Sequence, residues 1–177
     1  FSADGRLLWT YDAHGDMQNN LHGVAVRENG ELYISRNEWN IPSPAHTYRE
    51  MVEKLDPATG IVLWSTELTP CGSNWSPGLT INEYGIFAAN FECMAGLDFD
   101  GNILGYAYIP NISGPGGSGG IKSIITDGTN VYVSGSTAGN SFAPNAGGHD
   151  LFLVKYDKDG NQIWAKQWGG IDFELDP

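Results

Sequence analysis

The sequence predicts an all-β chain of repeated four-stranded antiparallel units, and three observations lead there. Gly supplies 24 of 177 residues while charged residues make up only 17%, a composition that suits short strands and tight turns and suits long helices badly. A turn with Gly, three residues and then a large aromatic recurs four times. A second strand–turn–strand element precedes each of the last three copies, in fixed order.

The recurring element first reads Ala3-Asp4-Gly5-Arg6-Leu7-Leu8-Trp9, then Ala58-Thr59-Gly60-Ile61-Val62-Leu63-Trp64. It continues as Phe99-Asp100-Gly101-Asn102-Ile103-Leu104-Gly105-Tyr106, with the aromatic displaced by one place, and as Lys158-Asp159-Gly160-Asn161-Gln162-Ile163-Trp164. Apolar strands ending in Asp56, Asp98 and Asp157 precede the last three copies, and strand, Asp-Gly turn, strand is a hairpin signature. The second element spans Val24–Ile34, Leu79–Ala88 and Ser123–Val133 around Gly30, Gly85 and Gly128. Five residues before each of these glycines stands a small side chain, Ala25, Thr80 or Ser123, expected on the innermost strand of its unit.

Two hairpins per unit, repeated at intervals of about 40–60 residues, are the signature of β-propeller blades. Residues 20–68, 77–109 and 119–168 read as whole blades, the middle one degenerate. Residues 1–12 read as the last strand of a preceding blade and 169–177 as the start of a following one. Propellers have about four to eight blades, so the expectation is a segment of a larger propeller or one completed by partner chains. Phe1 follows no start Met or leader, which agrees with a piece of something longer.

Two families are resembled. Asp56-Pro57-Ala58-Thr59-Gly60-Ile61-Val62-Leu63-Trp64 resembles the tryptophan-docking motif of the pyrroloquinoline-quinone (quinoprotein-like) propellers, with Lys54 where that motif prefers Ala. Ile124 to Val133, Gly135-Ser136-Thr137 and His149 to Gly170 are similar to the SBBP-type β-propeller repeat of exported proteins. Both resemblances imply the propeller fold. The quinone enzymes use a vicinal disulfide and a Ca²⁺ site, whereas Cys71 and Cys93 are far apart in this sequence.

Charge and hydropathy exclude other classes. A net charge of −12 does not favour the release of phosphate counterions, so no nucleic-acid partner is expected. Apolar runs of about four residues are too short to span a bilayer. Cys71 and Cys93 are expected to form a disulfide across two neighbouring loops. Asn111-Ile112-Ser113 and Asn74-Trp75-Ser76 are glycosylation sequons, the second followed by Pro77. With the low Lys content these features point to an extracellular or otherwise exported protein, secretory or periplasmic.

In a four-stranded unit the first and third turns emerge on one face, and the long second-to-third loops and crossovers on the other. The long segments carry Trp39, Tyr48, Trp75 and Phe142, candidates for a binding face. Asp98, Asp100 and Asn102, with Asp157, Asp159 and Asn161, form two Asp-x-Asp-Gly-Asn turns that resemble Ca²⁺ loops but lack the downstream bidentate Glu. Asp and Asn favour such turns for backbone reasons alone. No nucleophile elbow or His-based metal spacing occurs, so no catalytic residue and no cofactor is assigned. The reading is a non-catalytic interaction or structural scaffold whose partners are other chains or the rest of a larger propeller. The alternatives are a carbohydrate-binding propeller that uses the loop aromatics and a fragment of a quinoprotein-like dehydrogenase.

Overall fold

The computed structural model describes residues 7, 9–11, 17–40, 48–69, 78–114 and 119–170. They form three four-stranded antiparallel sheets and no helix. The first sheet holds β1 (Met17–Val26), β2 (Leu32–Asn40), β3 (Tyr48–Leu55) and β4 (Val62–Glu67). The second holds β5 (Gly78–Ile81), β6 (Ile86–Ala89), β7 (Cys93–Leu97) and β8 (Ile103–Tyr108). The third holds β9 (Gly120–Thr126), β10 (Val131–Thr137), β11 (Asp150–Tyr156) and β12 (Gln162–Trp168). Strands lie in sequence order within every sheet.

Side-chain oxygens build the turns. Asp56 Oδ1 accepts from the amides of Ala58 and Thr59 at 2.8 and 2.9 Å, and Asn82 Oδ1 from those of Tyr84 and Gly85 at 2.8 and 3.1 Å. Gly60, Gly101 and Gly160 then close the β3–β4, β7–β8 and β11–β12 turns at φ of 73°, 88° and 80°, a region that side chains resist.

One irregularity repeats. Each final hairpin has a bulge just after its turn, between Lys54 and Leu55, Gly96 and Leu97, and Lys155 and Tyr156 on the third strand. The extra residues opposite are Leu63, Leu104 and Ile163, all exposed. Residues two apart on a strand share a face, and the bulge breaks that rule. It turns Trp64 onto the face opposite to Val62.

Two apolar layers hold the sheets together. Tyr33 and Val52 of the first sheet pack on Leu79, Ile86, Ala88, Ala95 and Leu97 of the second. Phe87, Ala89 and Met94 on the other face of the second sheet pack on Ile124, Val131, Val133, Phe152 and Val154 of the third. At the edge formed by the first strands, β1 and β5 nearly touch: a Cβ on Gly23 would stand 2.6 Å from the Leu79 amide nitrogen.

The register corrects one alignment. Ala25, Thr80 and Ser123 all lie on first strands, but Ala25 pairs with Tyr33 and Thr80 with Phe87, while Tyr132 pairs with Ile125. The counterpart of Ala25 and Thr80 is therefore Ile125, and Ser123 stands two residues away. The turn glycine is the fourth residue of the first two turns (27–31 and 82–85) but the second residue of 127–130. Counting back from it misplaces the third strand.

Candidate functional site

Each sheet carries one row of side chains across its four strands on the face turned toward the next sheet. The rows read Ala25–Tyr33–Lys54–Trp64, Thr80–Phe87–Gly96–Gly105 and Ile125–Tyr132–Lys155–Trp164. Tryptophan at the end of a row docks on the turn glycine of the following sheet. A Cβ on Gly101 would stand 3.0 Å from the Trp64 ring. Thr66 Oγ1 fastens the same contact by donating to the Gly101 carbonyl at 2.7 Å. Trp9 repeats the arrangement on Gly60, where a Cβ would meet its ring at 2.5 Å, and its indole N–H donates to the Pro57 carbonyl at 2.9 Å.

The junction between the second and third sheets lacks its tryptophan. Gly105 holds that place, and the turn glycine it should meet, Gly160, has nothing within 4 Å of its Cβ position. A cavity of about 280 Å³ fills the gap, lined by Phe87, Met94, Gly96, Gly105, Ala107 and Gly160 among others. Tyr106, one residue along, does not substitute. Its hydroxyl donates to the Thr69 carbonyl and its ring joins the layer shared with the first sheet.

Two larger hollows lie at opposite ends of the stack. The three first-hairpin turns converge on one of about 650 Å³, lined by Arg27, Glu28, Asn29, Asn82, Glu83 and Thr129 among others. Arg27 is committed elsewhere: it pairs with Glu31 at 2.6 Å and its guanidinium lies 3.5 Å over the Phe99 ring. The other, about 590 Å³, sits among the long loops and is lined by Glu92, Asn111, Ile112, Ser113, Gly114, Gly139 and Asn140.

Asp98, Asp100 and Asn102 do come together, as do Asp157, Asp159 and Asn161, but as turn builders. Asp98 Oδ1 accepts from the Asp100 and Asn102 amides at 3.0 and 2.8 Å, and Oδ2 from the Asn102 side chain at 2.8 Å. Asp157 repeats the set at 2.9, 2.8 and 3.0 Å. The Asn102 side chain, then its amide, holds the Asp98 carboxyl below the usual carboxylate range, and Asn161 does the same for Asp157. Among the described residues no three His, Cys, Asp or Glu side chains gather as a metal site would require.

Of the binding-face aromatics, Phe142 and Tyr48 are described, and they belong to different sheets. Phe142 is half-buried, 5.7 Å from Phe152 and packed on the layer between the second and third sheets. Tyr48 opens β3 and pairs in register with Trp39 of β2, whose side chain lies outside the described residues, as does Trp75. Asn111 is exposed, in the left-handed region at φ 53°. Asn74 and Cys71 fall outside the described residues. Cys93 is buried as the first residue of β7 rather than in the loop before it, and no free cysteine occurs among the described residues.

Sequence reasoning missed two polar networks. Arg36 donates to Glu53 and Glu38, both at 2.7 Å, while Tyr11 (2.6 Å) and Ser65 (3.0 Å) also donate to Glu53. Burial alone would raise the Glu53 carboxyl, but the bonds from Arg36 and Tyr11 hold it below its ordinary value. Burial, then the bond to Glu53, pushes the Tyr11 phenol up to about 12. In the third sheet Gln167 Oε1 accepts from the Phe142 and Ala143 amides, while Nε2 donates to Gly139 and Asp150. Alternating charges along β2 and β3 were the signal for the first network; a lone Gln gave none for the second.

No protein-family model matches the chain, and no curated protein matches it. A crystal structure of a protein of unknown function from Bacteroides caccae superposes over 94% of this chain and 73% of that one. Its TM-score is 0.41 and its identity 14%. A likeness at that level carries no argument about function.

Proposed function

We propose that the three sheets are consecutive blades of a β-propeller and that the chain is a non-catalytic interaction scaffold in an exported assembly. One observation carries this reading. The face of the third sheet turned away from the second carries the row Ile125–Tyr132–Lys155–Trp164, the counterpart of the row that the first sheet buries on the second. On that free face Ile125 is 60%, Leu151 53% and Trp168 50% exposed. Val24 and Val26 stand exposed on the outer face of the first sheet. These are surfaces built to receive another sheet, from the rest of a larger propeller or from another chain. The nearness of the first strands of successive sheets supports inner strands around an axis.

The carbohydrate reading has the long-loop hollow of Glu92, Asn111, Ser113 and Asn140 in its favour, but among the described residues no aromatic ring lines it for a sugar to stack on. Sedimentation of the 177-residue chain tests the scaffold reading. Concentration-dependent self-association is expected, weakened by the double change Ile125→Glu and Leu151→Glu. A monodisperse monomer across the concentration range would overturn it.

A further inference from the structure

Two turn glycines in this chain, Gly60 and Gly101, each carry an indole, and a third, Gly160, presents the same seat without one. Gly105 stands where Trp64 and Trp164 stand in their sheets, next to Gly96 where those rows have Lys54 and Lys155. Gly105 leaves the floor of the seat open, with nothing within 4 Å of its Cβ position, while the Phe87 ring lies over Gly96, 3.6 Å from where its Cβ would stand; Met94 is on the same wall and Gly160 opposite. A cavity of about 150 Å³ in a protein core suffices for benzene, so about 280 Å³ holds a fused bicyclic ring. The aromatic nearest in sequence, Tyr106, borders the cavity but is tied to the Thr69 carbonyl and packs toward the first sheet, so among the described residues nothing fills the seat itself.

We propose that the cavity between the second and third sheets is a binding site for a small planar aromatic molecule of indole size. The ligand would lie flat between Gly105 and Gly160 with an edge against Phe87, as the indole of Trp64 lies on Gly101 beside Tyr33, their ring centroids 5.9 Å apart. Lys158 and Asp159 also line the cavity, and they pair with each other at 2.6 Å. A ligand of nine heavy atoms in such a seat binds with a dissociation constant on the order of 1 mM or below.

Indole itself is the probe. The chain has three methionines, Met17, Met51 and Met94, so methyl-labelled methionine gives three resonances, one of them at the cavity. Indole at about 5 mM should shift the Met94 methyl alone and raise the calorimetric melting temperature by about 2–4 °C. Gly105→Trp fills the seat from within. It should raise the melting temperature without ligand and abolish the Met94 response. Gly105→Leu is the smaller plug should the tryptophan variant fail to fold, and it should weaken the response at least tenfold. A Met94 resonance unmoved by indole, or one that moves equally in the plugged variant, would overturn the proposal.

Discussion

The ring of Trp64 lies so close to Gly101 of the next sheet that a Cβ on the glycine would stand 3.0 Å from it. That contact joins two sheets through residues 37 positions apart, and it needs both partners to be what they are. Gly101 is at φ 88° and Gly30 at 87°, but nothing lies within 4 Å of a Cβ at Gly30. Gly101→Ala and Gly30→Ala therefore share a backbone cost of about 1 kcal/mol, and only the first adds the collision with Trp64. Chemical denaturation should show Gly101→Ala the more destabilised by a further ~1–2 kcal/mol. Trp64→Ala should cost about 2–4 kcal/mol. Equal losses at the two glycines would show that the interlock contributes nothing.

Glu31 makes the chain acid-sensitive. Lys54, Asn29 and Arg27 all donate to its carboxylate and hold it down to about 2, against an ordinary value of 4.5. A carboxyl depressed in the folded state contributes stability that is complete above its unfolded value and is lost as pH falls through the folded one. Partial exposure screens the pairs, so Glu31→Gln should cost on the order of 1 kcal/mol at pH 7. The gap between variant and wild type should close between pH 4.5 and 2. Melting curves at pH 7, 4 and 2 measure it, and a gap independent of pH would contradict the assignment.

Gln167 holds the long loop of the third sheet. Its amide bonds to Phe142, Ala143, Gly139 and Asp150, with distances of 2.9–3.3 Å. Gln167→Ala leaves two loop amides without their acceptor, a loss of about 1–3 kcal/mol. Hydrogen exchange should accelerate at Phe142 and Ala143 while the β9–β10 amides keep their protection. Unchanged exchange at both would show the loop to be held by Phe142 packing alone.

A Cys71–Cys93 bridge remains the expected state of the two cysteines. It would enclose about 20 residues, for which chain-entropy estimates give on the order of 3 kcal/mol. Alkylation of the unfolded, unreduced chain should add no mass, and reduction should lower the melting temperature. Two alkylated thiols before reduction would remove the bridge and the strongest local argument for export.

Strands and hairpins were legible because alternation and turn chemistry are local: Asp56, Asp98 and Asp157 do in the structure what their neighbours imply. The vacant seat was half legible. The displaced aromatic at Tyr106 was visible, but its consequence depends on the bulge at Leu104, which decides which face each residue takes. The misplacement of Ser123 has another origin: the glycine is the fourth residue of the turn 82–85 and the second of 127–130, turns of equal length, and sequence spacing alone does not show which place it takes. Phe142 was legible as a loop aromatic, but its contact with Phe152 was not, because loop and strand meet only in the folded sheet.

The first-hairpin turns run to five residues at 27–31 and to four at 82–85 and 127–130, while the strands they join keep one common register. Loop closure grows only slowly with length, so chain can be added at these tips without displacing any row. They are natural splice points: a tag or a foreign peptide grafted between Glu28 and Asn29, or between Gly128 and Thr129, would sit at one end of the stack. Grafts there would project on the short-turn side, away from the sheet faces on which assembly depends.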